Sequence, residues 1–100
     1  MDLIELDHPG LLLFEDFIEG SGLTKYKVAK ATGIRATTLG EICAGKRSIS
    51  PAVDLRLCLY FGLSSGYFLR LQVMYQTAQA ERELGEQARK EVTPLEAETA

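Results

Sequence analysis

Residues 24–47 read TKYKVAKATGIRATTLGEICAGKR and contain two short helical patterns joined by a glycine. Thr24 can cap the first helix, and Gly33 is expected to end it after about two and a half turns. Only two residues then precede a second helix, which Gly45 closes. So short a connection does not let the second helix fold back antiparallel. The two helices must therefore cross steeply, which is the helix-turn-helix arrangement.

Cap-and-proline signals predict three further helices around this pair. Pro9 begins the first helix, with Asp7 or His8 as its cap. Ser50 and Pro51 begin the fourth helix in the same way, and a fifth is expected to start near Ser64 and Ser65. The sequence therefore predicts an all-α fold of five helices.

Helical spacing predicts which side chains face the core, and composition predicts where the core ends. In the second helix we expect Val28 and Ala31 to point inwards, and the first helix carries an apolar stripe formed by Leu12, Leu13, Phe17 and Ile18. Residues 1–80 are expected to form the domain. Residues 81–100 are expected to form a polar helical extension that becomes disordered from Thr93 onwards.

Charge is segregated along the chain although the net charge is only −3. Residues 1–23 hold six acidic and no basic side chains, whereas residues 24–56 hold seven basic and two acidic ones. A basic block between acidic flanks is typical of a protein that binds a polyanion through one surface.

The residue types present argue against several classes of function. One histidine and two separated cysteines, Cys43 and Cys58, are too few for a zinc site, so we expect buried thiols, no metal and no cofactor. The sequence has neither a glycine-rich phosphate loop nor a histidine that could activate a nucleophile, so we do not expect enzymatic activity. The longest apolar runs are far shorter than a membrane span and no export signal is visible, which predicts a cytoplasmic protein without a membrane partner.

The second helix of the pair is the candidate recognition helix, because a braced α-helix fits the major groove of double-stranded DNA. Basic side chains flank it on both sides and are expected to contact phosphates: Lys25 and Lys27 before it, and Lys46 and Arg47 after it. The side chains expected to face the base pairs are Arg35, Ala36, Thr37, Thr38 and Glu41.

Motifs along residues 8–77 resemble those of the HigA-type antitoxins, which share a Cro/C1-type helix-turn-helix. The resemblance rests on His-Pro-Gly at residues 8–10, Gly-Lys-Arg at residues 45–47, and the Leu-x-Leu-Gln-x-x-Tyr pattern at residues 69–75. It implies a five-helix lambda-repressor-like domain. It also implies a type II antitoxin that neutralises a RelE/HigB-like mRNA endonuclease toxin and, as a homodimer, represses its own operon.

The chain departs from this family where base contacts are expected. Ala36, Thr37, Thr38 and Gly40 stand where arginine, asparagine or serine is common, so the strongest base-reading donors are missing. One interpretation is a weaker readout through DNA shape and thymine methyl groups, which the retained basic residues favour. The other is an antitoxin whose DNA binding has faded.

Partner surfaces are predicted from charge and apolar exposure. The acidic first helix, with Glu15, Asp16 and Glu19, is the expected toxin-binding surface. The fifth helix is the expected dimer seam, and the interface residues would be Leu59, Phe68, Leu71 and Tyr75. In the fourth helix, Asp54 stands where the family has alanine.

Two alternatives to the antitoxin function stay open: a stand-alone helix-turn-helix regulator without a toxin, and a protein-binding module with weakened affinity for DNA.

Overall fold

The computed structural model describes residues 8–96, and these form five helices without strands. The first helix, α1, begins as an α-helical turn, Pro9–Leu12, and continues as a π-helix, Leu13–Glu19. The others are α2 (Lys25–Thr32), α3 (Ala36–Cys43), α4 (Pro51–Phe61) and α5 (Tyr67–Glu91). The predicted all-α, five-helix class is confirmed. In the described part of the chain, no helix has both the length and the apolar character needed to span a bilayer.

The π-helical geometry of α1 brings two apolar residues to the core that an α-helix would separate. Leu13 and Ile18 are five residues apart and both are completely buried. A π-helix bonds each residue to the fifth along the chain rather than the fourth, so this spacing falls on one side of it. The sequence predicted the helix but not its π form. His8 caps the first turn by accepting a 2.9 Å hydrogen bond from the Gly10 N–H at Nδ1, while Asp7, the alternative cap, lies outside the described residues.

The turn between α2 and α3 is held by a buried threonine. Gly33 adopts a left-handed φ of 76°, as the predicted helix end requires. The Thr32 hydroxyl donates to the Val28 carbonyl at 2.7 Å and accepts from the Ile34 N–H at 3.3 Å. The inward orientation predicted for Ala31 is wrong: Ala31 is exposed, and Thr32 takes the buried position because its hydroxyl is satisfied within the turn.

Helix α5 starts later than the sequence predicts. It begins at Tyr67 rather than near Ser64 and Ser65. Gly66 takes a left-handed φ of 90° immediately before it, and the carboxylate of Asp54 accepts the hydrogen bond of the Gly66 N–H at 2.7 Å. The start of α5 is therefore fixed by a side chain from α4.

The core lies between α1 and the packed faces of the other four helices. Phe17 contacts three aromatic rings of α4 and α5, with centroid distances of 5.3 Å to Phe61, 5.8 Å to Tyr67 and 5.2 Å to Phe68.

Helix α5 continues unbroken through the domain boundary predicted after residue 80. The tail predicted to be disordered from Thr93 is described as far as residue 96, and the rest lies outside the described residues.

Candidate nucleic-acid interface

Helix α3 presents one buried and one exposed face. Leu39 and Ile42 are fully buried and fix the helix against the core. Ala36 and Thr37 are exposed on the opposite side, and a Cβ atom added at Gly40 would meet no atom within 4 Å. The outward face is therefore low and open, so another surface can approach its backbone closely.

Four exposed cations precede and follow α3 in the chain. Lys25 and Lys27 lie in the first turn of α2, and Lys46 and Arg47 follow the end of α3. The Lys25 ammonium stands 5.2 Å from the centroid of the Phe14 ring, a cation–π contact that keeps it beside α1. The cations therefore lie at the start of α2 and just after α3 in the chain, at the two ends of the helix-turn-helix.

The end of α3 folds Arg47 back towards the helix. Gly45, with φ of 76°, donates to the Ile42 carbonyl, and the Lys46 N–H donates to the Glu41 carbonyl at 2.9 Å. These two bonds define a Schellman motif, which reverses the chain at a left-handed glycine. The Arg47 guanidinium then lies 3.4 Å from the Glu41 carboxylate.

The remaining residues predicted to face bases have unequal access. Arg35 is exposed at the N-cap position of α3, where its side chain makes no capping hydrogen bond. Thr38 and Glu41 are half-buried, whereas Ala36 and Thr37 are exposed. Thr38 is thus less available to a ligand than Ala36 and Thr37, which precede it.

Sequence reasoning missed Tyr26. Its side chain is 71% exposed between Lys25 and Lys27 at the start of α2. The available signal was a tyrosine between two lysines in a helix's first turn, because tyrosine hydroxyls and lysine ammonium groups both donate hydrogen bonds to phosphates.

Sequence reasoning also missed the role of Gln72. Its Oε1 accepts from the Ile49 N–H at 2.6 Å, and its Nε2 donates to the Ile49 carbonyl at 2.9 Å. Ile49 is buried in the segment that carries Lys46 and Arg47. Both backbone groups are satisfied by α5, so this segment is fixed to that helix. The partner lies 23 residues away and could not be identified from spacing.

The predicted dimer residues need one correction. Phe68 has no exposed surface and belongs to the core, so it cannot contact a second copy. Leu71 is half-buried against that core, and Tyr75 is half-buried with its ring 5.3 Å from His8. Leu59 is 75% exposed and remains available. Leu59 belongs to α4; on α5 the exposed large apolar side chains are Val73, Met74 and Leu84.

The acidic side chains of α1 all face outwards. Glu15, Asp16 and Glu19 are exposed on the π-helical segment, which contains no basic residue. They form a negative surface on the helix whose Phe14 ring contacts Lys25. The acidic and basic surfaces are therefore adjacent.

Burial shifts the pKa values of one histidine and one cysteine. Burial lowers the pKa of His8 and raises the pKa of the Cys43 thiol, the latter opposed by the charge of Lys25. Cys58 is also a buried free thiol and donates to Asp54 at 3.6 Å. Both cysteines are packing residues, as the sequence predicts.

Comparison with known proteins identifies the family. Residues 16–68 match the helix-turn-helix family. Virulence-associated protein I of Dichelobacter nodosus is 33% identical over 76 residues, which are 76% of this chain and 70% of that protein. An addiction module antidote protein of the HigA family from Coxiella burnetii superposes with a TM-score of 0.83 at 32% identity, covering 91% of this chain and 99% of that one.

A second solved structure, Pseudomonas aeruginosa antitoxin HigA with the higBA promoter, gives a TM-score of 0.82 at 31% identity and covers 89% of this chain and 97% of its own. A P. aeruginosa protein in complex with its 18-bp operator DNA superposes with a TM-score of 0.86 at 30% identity, covering 92% of this chain and 99% of that one. The chain therefore belongs to the helix-turn-helix family of Cro/C1 type and, within it, to the HigA-type proteins.

Proposed function

We propose that the protein is a HigA-type antitoxin that represses its own operon by binding operator DNA as a homodimer. The observation that carries the DNA-binding part is the open outward face of α3 with exposed cations at both ends of the helix-turn-helix. A recognition helix enters the major groove while flanking cations contact phosphates. The P. aeruginosa relatives bound to promoter and operator DNA support the same use of the fold.

Pairing of two copies supplies the second recognition helix. One helix covers a single half-site, and two-fold pairing places two of them about one DNA turn apart. The exposed apolar side chains of α5 favour this helix as the seam. Val73 is 59% exposed and Leu84 is 62% exposed, eleven residues apart on the same side of α5.

Toxin neutralisation is the second part of the proposal. The supporting observation is the exposed acidic surface of Glu15, Asp16 and Glu19. A ribonuclease toxin of RelE/HigB type would carry a basic RNA-binding surface, which this acidic surface would attract. DNA and toxin would then use adjacent surfaces of opposite charge.

Salt-dependent binding to the chain's own upstream region tests the DNA-binding part. The full chain is titrated by fluorescence anisotropy into a labelled duplex of that region at several salt concentrations. If all four cations of both copies contact phosphates, log K falls against log salt with a slope of about −7.

Single charge removals provide the matched comparison. Lys46→Gln should weaken binding and make that slope shallower by about 1 for each phosphate that the lysine neutralises. Lys90→Gln, at the exposed end of α5 beside Glu86, should leave binding unchanged. Absence of binding by the wild-type chain at low salt would overturn the repressor proposal.

A further inference from the structure

Glu41 is the one charged side chain within α3, Ala36–Cys43. The exposed or half-buried side chains before it are Ala36, Thr37 and Thr38, and Gly40 has none. These residues lack the amide and guanidinium groups that read purines through paired hydrogen bonds. Glu41 therefore carries the strongest hydrogen-bonding group of this helix.

The position of Glu41 suits contact with a base pair. It follows Thr37 by four residues, so both lie on the same side of α3, one turn apart. About 41% of its side chain is exposed. A groove that receives the exposed Thr37 would also meet the Glu41 carboxylate.

Arg47 removes the main electrostatic objection to a carboxylate in this place. An acidic side chain among DNA phosphates is repelled. The Schellman motif at Gly45 holds the Arg47 guanidinium 3.4 Å from Glu41, with about half of its side chain still exposed. The pair is close to neutral, and Arg47 keeps free donors for a phosphate.

We propose that Glu41 selects the base pair facing α3 by accepting a hydrogen bond from a cytosine amino group, with Arg47 neutralising it. This rests on the proposed DNA binding by α3. A carboxylate only accepts hydrogen bonds, and in the major groove cytosine offers a donor where guanine and thymine offer acceptors. Adenine offers its N6 amino donor beside the N7 acceptor, and N7 repels a carboxylate, so adenine fits a carboxylate less well than cytosine does.

Selection from a random-sequence duplex library tests this with the full chain. The wild type should enrich cytosine at one position of each half-site. Glu41→Gln should enrich adenine there, because an amide matches both adenine groups, and its affinity for the wild-type site should fall about tenfold. Glu41→Ala, which lacks an acceptor, should accept all four base pairs.

Glu83→Gln is the matched control, because it removes the same charge from an exposed position of α5. It should enrich the wild-type sequence. If Glu41→Gln enriches the same base as the wild type at every position, or binds all sequences more tightly by one common factor, the inference is overturned while DNA binding by α3 stands. A wild-type chain without salt-dependent DNA binding overturns the proposed function and the inference together.

Discussion

The carboxylate of Asp54 in α4 accepts a 3.0 Å hydrogen bond from the backbone N–H of Phe68 in α5. The same oxygen accepts from Leu69 at 3.2 Å, and the other accepts from Gly66 at 2.7 Å. Helix α5 has no capping side chain of its own. Asp54 therefore serves as the cap of a helix that begins more than ten residues later, and joins α4 to α5 inside the core.

Replacing Asp54 should destabilise the fold severely. Asp54→Ala leaves three backbone N–H groups without their acceptor and is expected to reduce the free energy of unfolding by about 3 kcal/mol. Urea denaturation followed by circular dichroism measures the change. Asp16→Ala, at an exposed position of α1, should change it by less than about 0.5 kcal/mol. Equal effects of the two substitutions would contradict the capping role.

The cap formed by His8 predicts a dependence of stability on pH. Burial lowers the folded-state pKa of His8 below its ordinary value of 6.5, and its unprotonated Nδ1 accepts from Gly10. The unfolded chain then binds the proton more readily than the folded one. This contribution is fully present above about pH 6.5 and is lost as the pH falls towards the folded-state pKa.

A cap that does not titrate provides the comparison. His8→Asn retains a side-chain acceptor for the Gly10 N–H. The difference in unfolding free energy between the wild type and this variant should shift in favour of the variant as the pH falls below about 6.5. If the difference in unfolding free energy between the two proteins does not change with pH, then His8 does not contribute to the loss of stability in acid.

The apolar side of α5 predicts which substitutions separate the dimer. Val73→Glu places a charge at the proposed seam and should give a monomer in sedimentation at micromolar concentration, with the helical content unchanged. Arg82→Glu is the control, because it lies nine residues on and therefore on the opposite side of α5. A Val73→Glu variant that sediments like the wild type would place the seam elsewhere, with the exposed Leu59 of α4 as the next candidate.

The acidic surface of α1 predicts the rate of toxin association. Reversing Glu15, Asp16 and Glu19 to lysine should slow association with a RelE/HigB-like toxin by at least about tenfold at low salt, since steering depends on opposite charge. Stopped-flow measurements at low and high salt give the rate. The control reverses three exposed glutamates away from α1 and from the seam side of α5, Glu83, Glu86 and Glu96. Equal slowing by the two triple variants would assign the effect to net charge alone.

Local signals made most of the fold predictable. Thr24 and Ser50 cap α2 and α4 as their types and positions predict, accepting from the N–H three residues on. Gly33 and Gly45 end α2 and α3 in the left-handed conformation. Each of these features depends on chemistry within a few residues, which a single sequence contains.

Contacts between distant residues were not predictable. Asp54 and Gln72 satisfy backbone groups 12 to 23 residues away, and neither residue type indicates such a partner. An aromatic residue near a helix start suits either an interface or a core, and for Phe68 the packing against Phe17 decides for the core. A threonine hydroxyl is ordinarily exposed, so the residue type does not indicate the burial of Thr32, whose hydroxyl is hydrogen-bonded within the turn.

Gln72 has a consequence for the length of the operator. Because it bonds both backbone groups of Ile49, the Lys46–Arg47 segment cannot slide along α5. In a dimer joined through α5, the separation of the two phosphate-contacting segments would be constant. An added base pair moves one half-site by about 3.4 Å along the duplex and rotates it by about 35°. A glutamine bonded within its own protomer would thus limit which half-site intervals the repressor accepts.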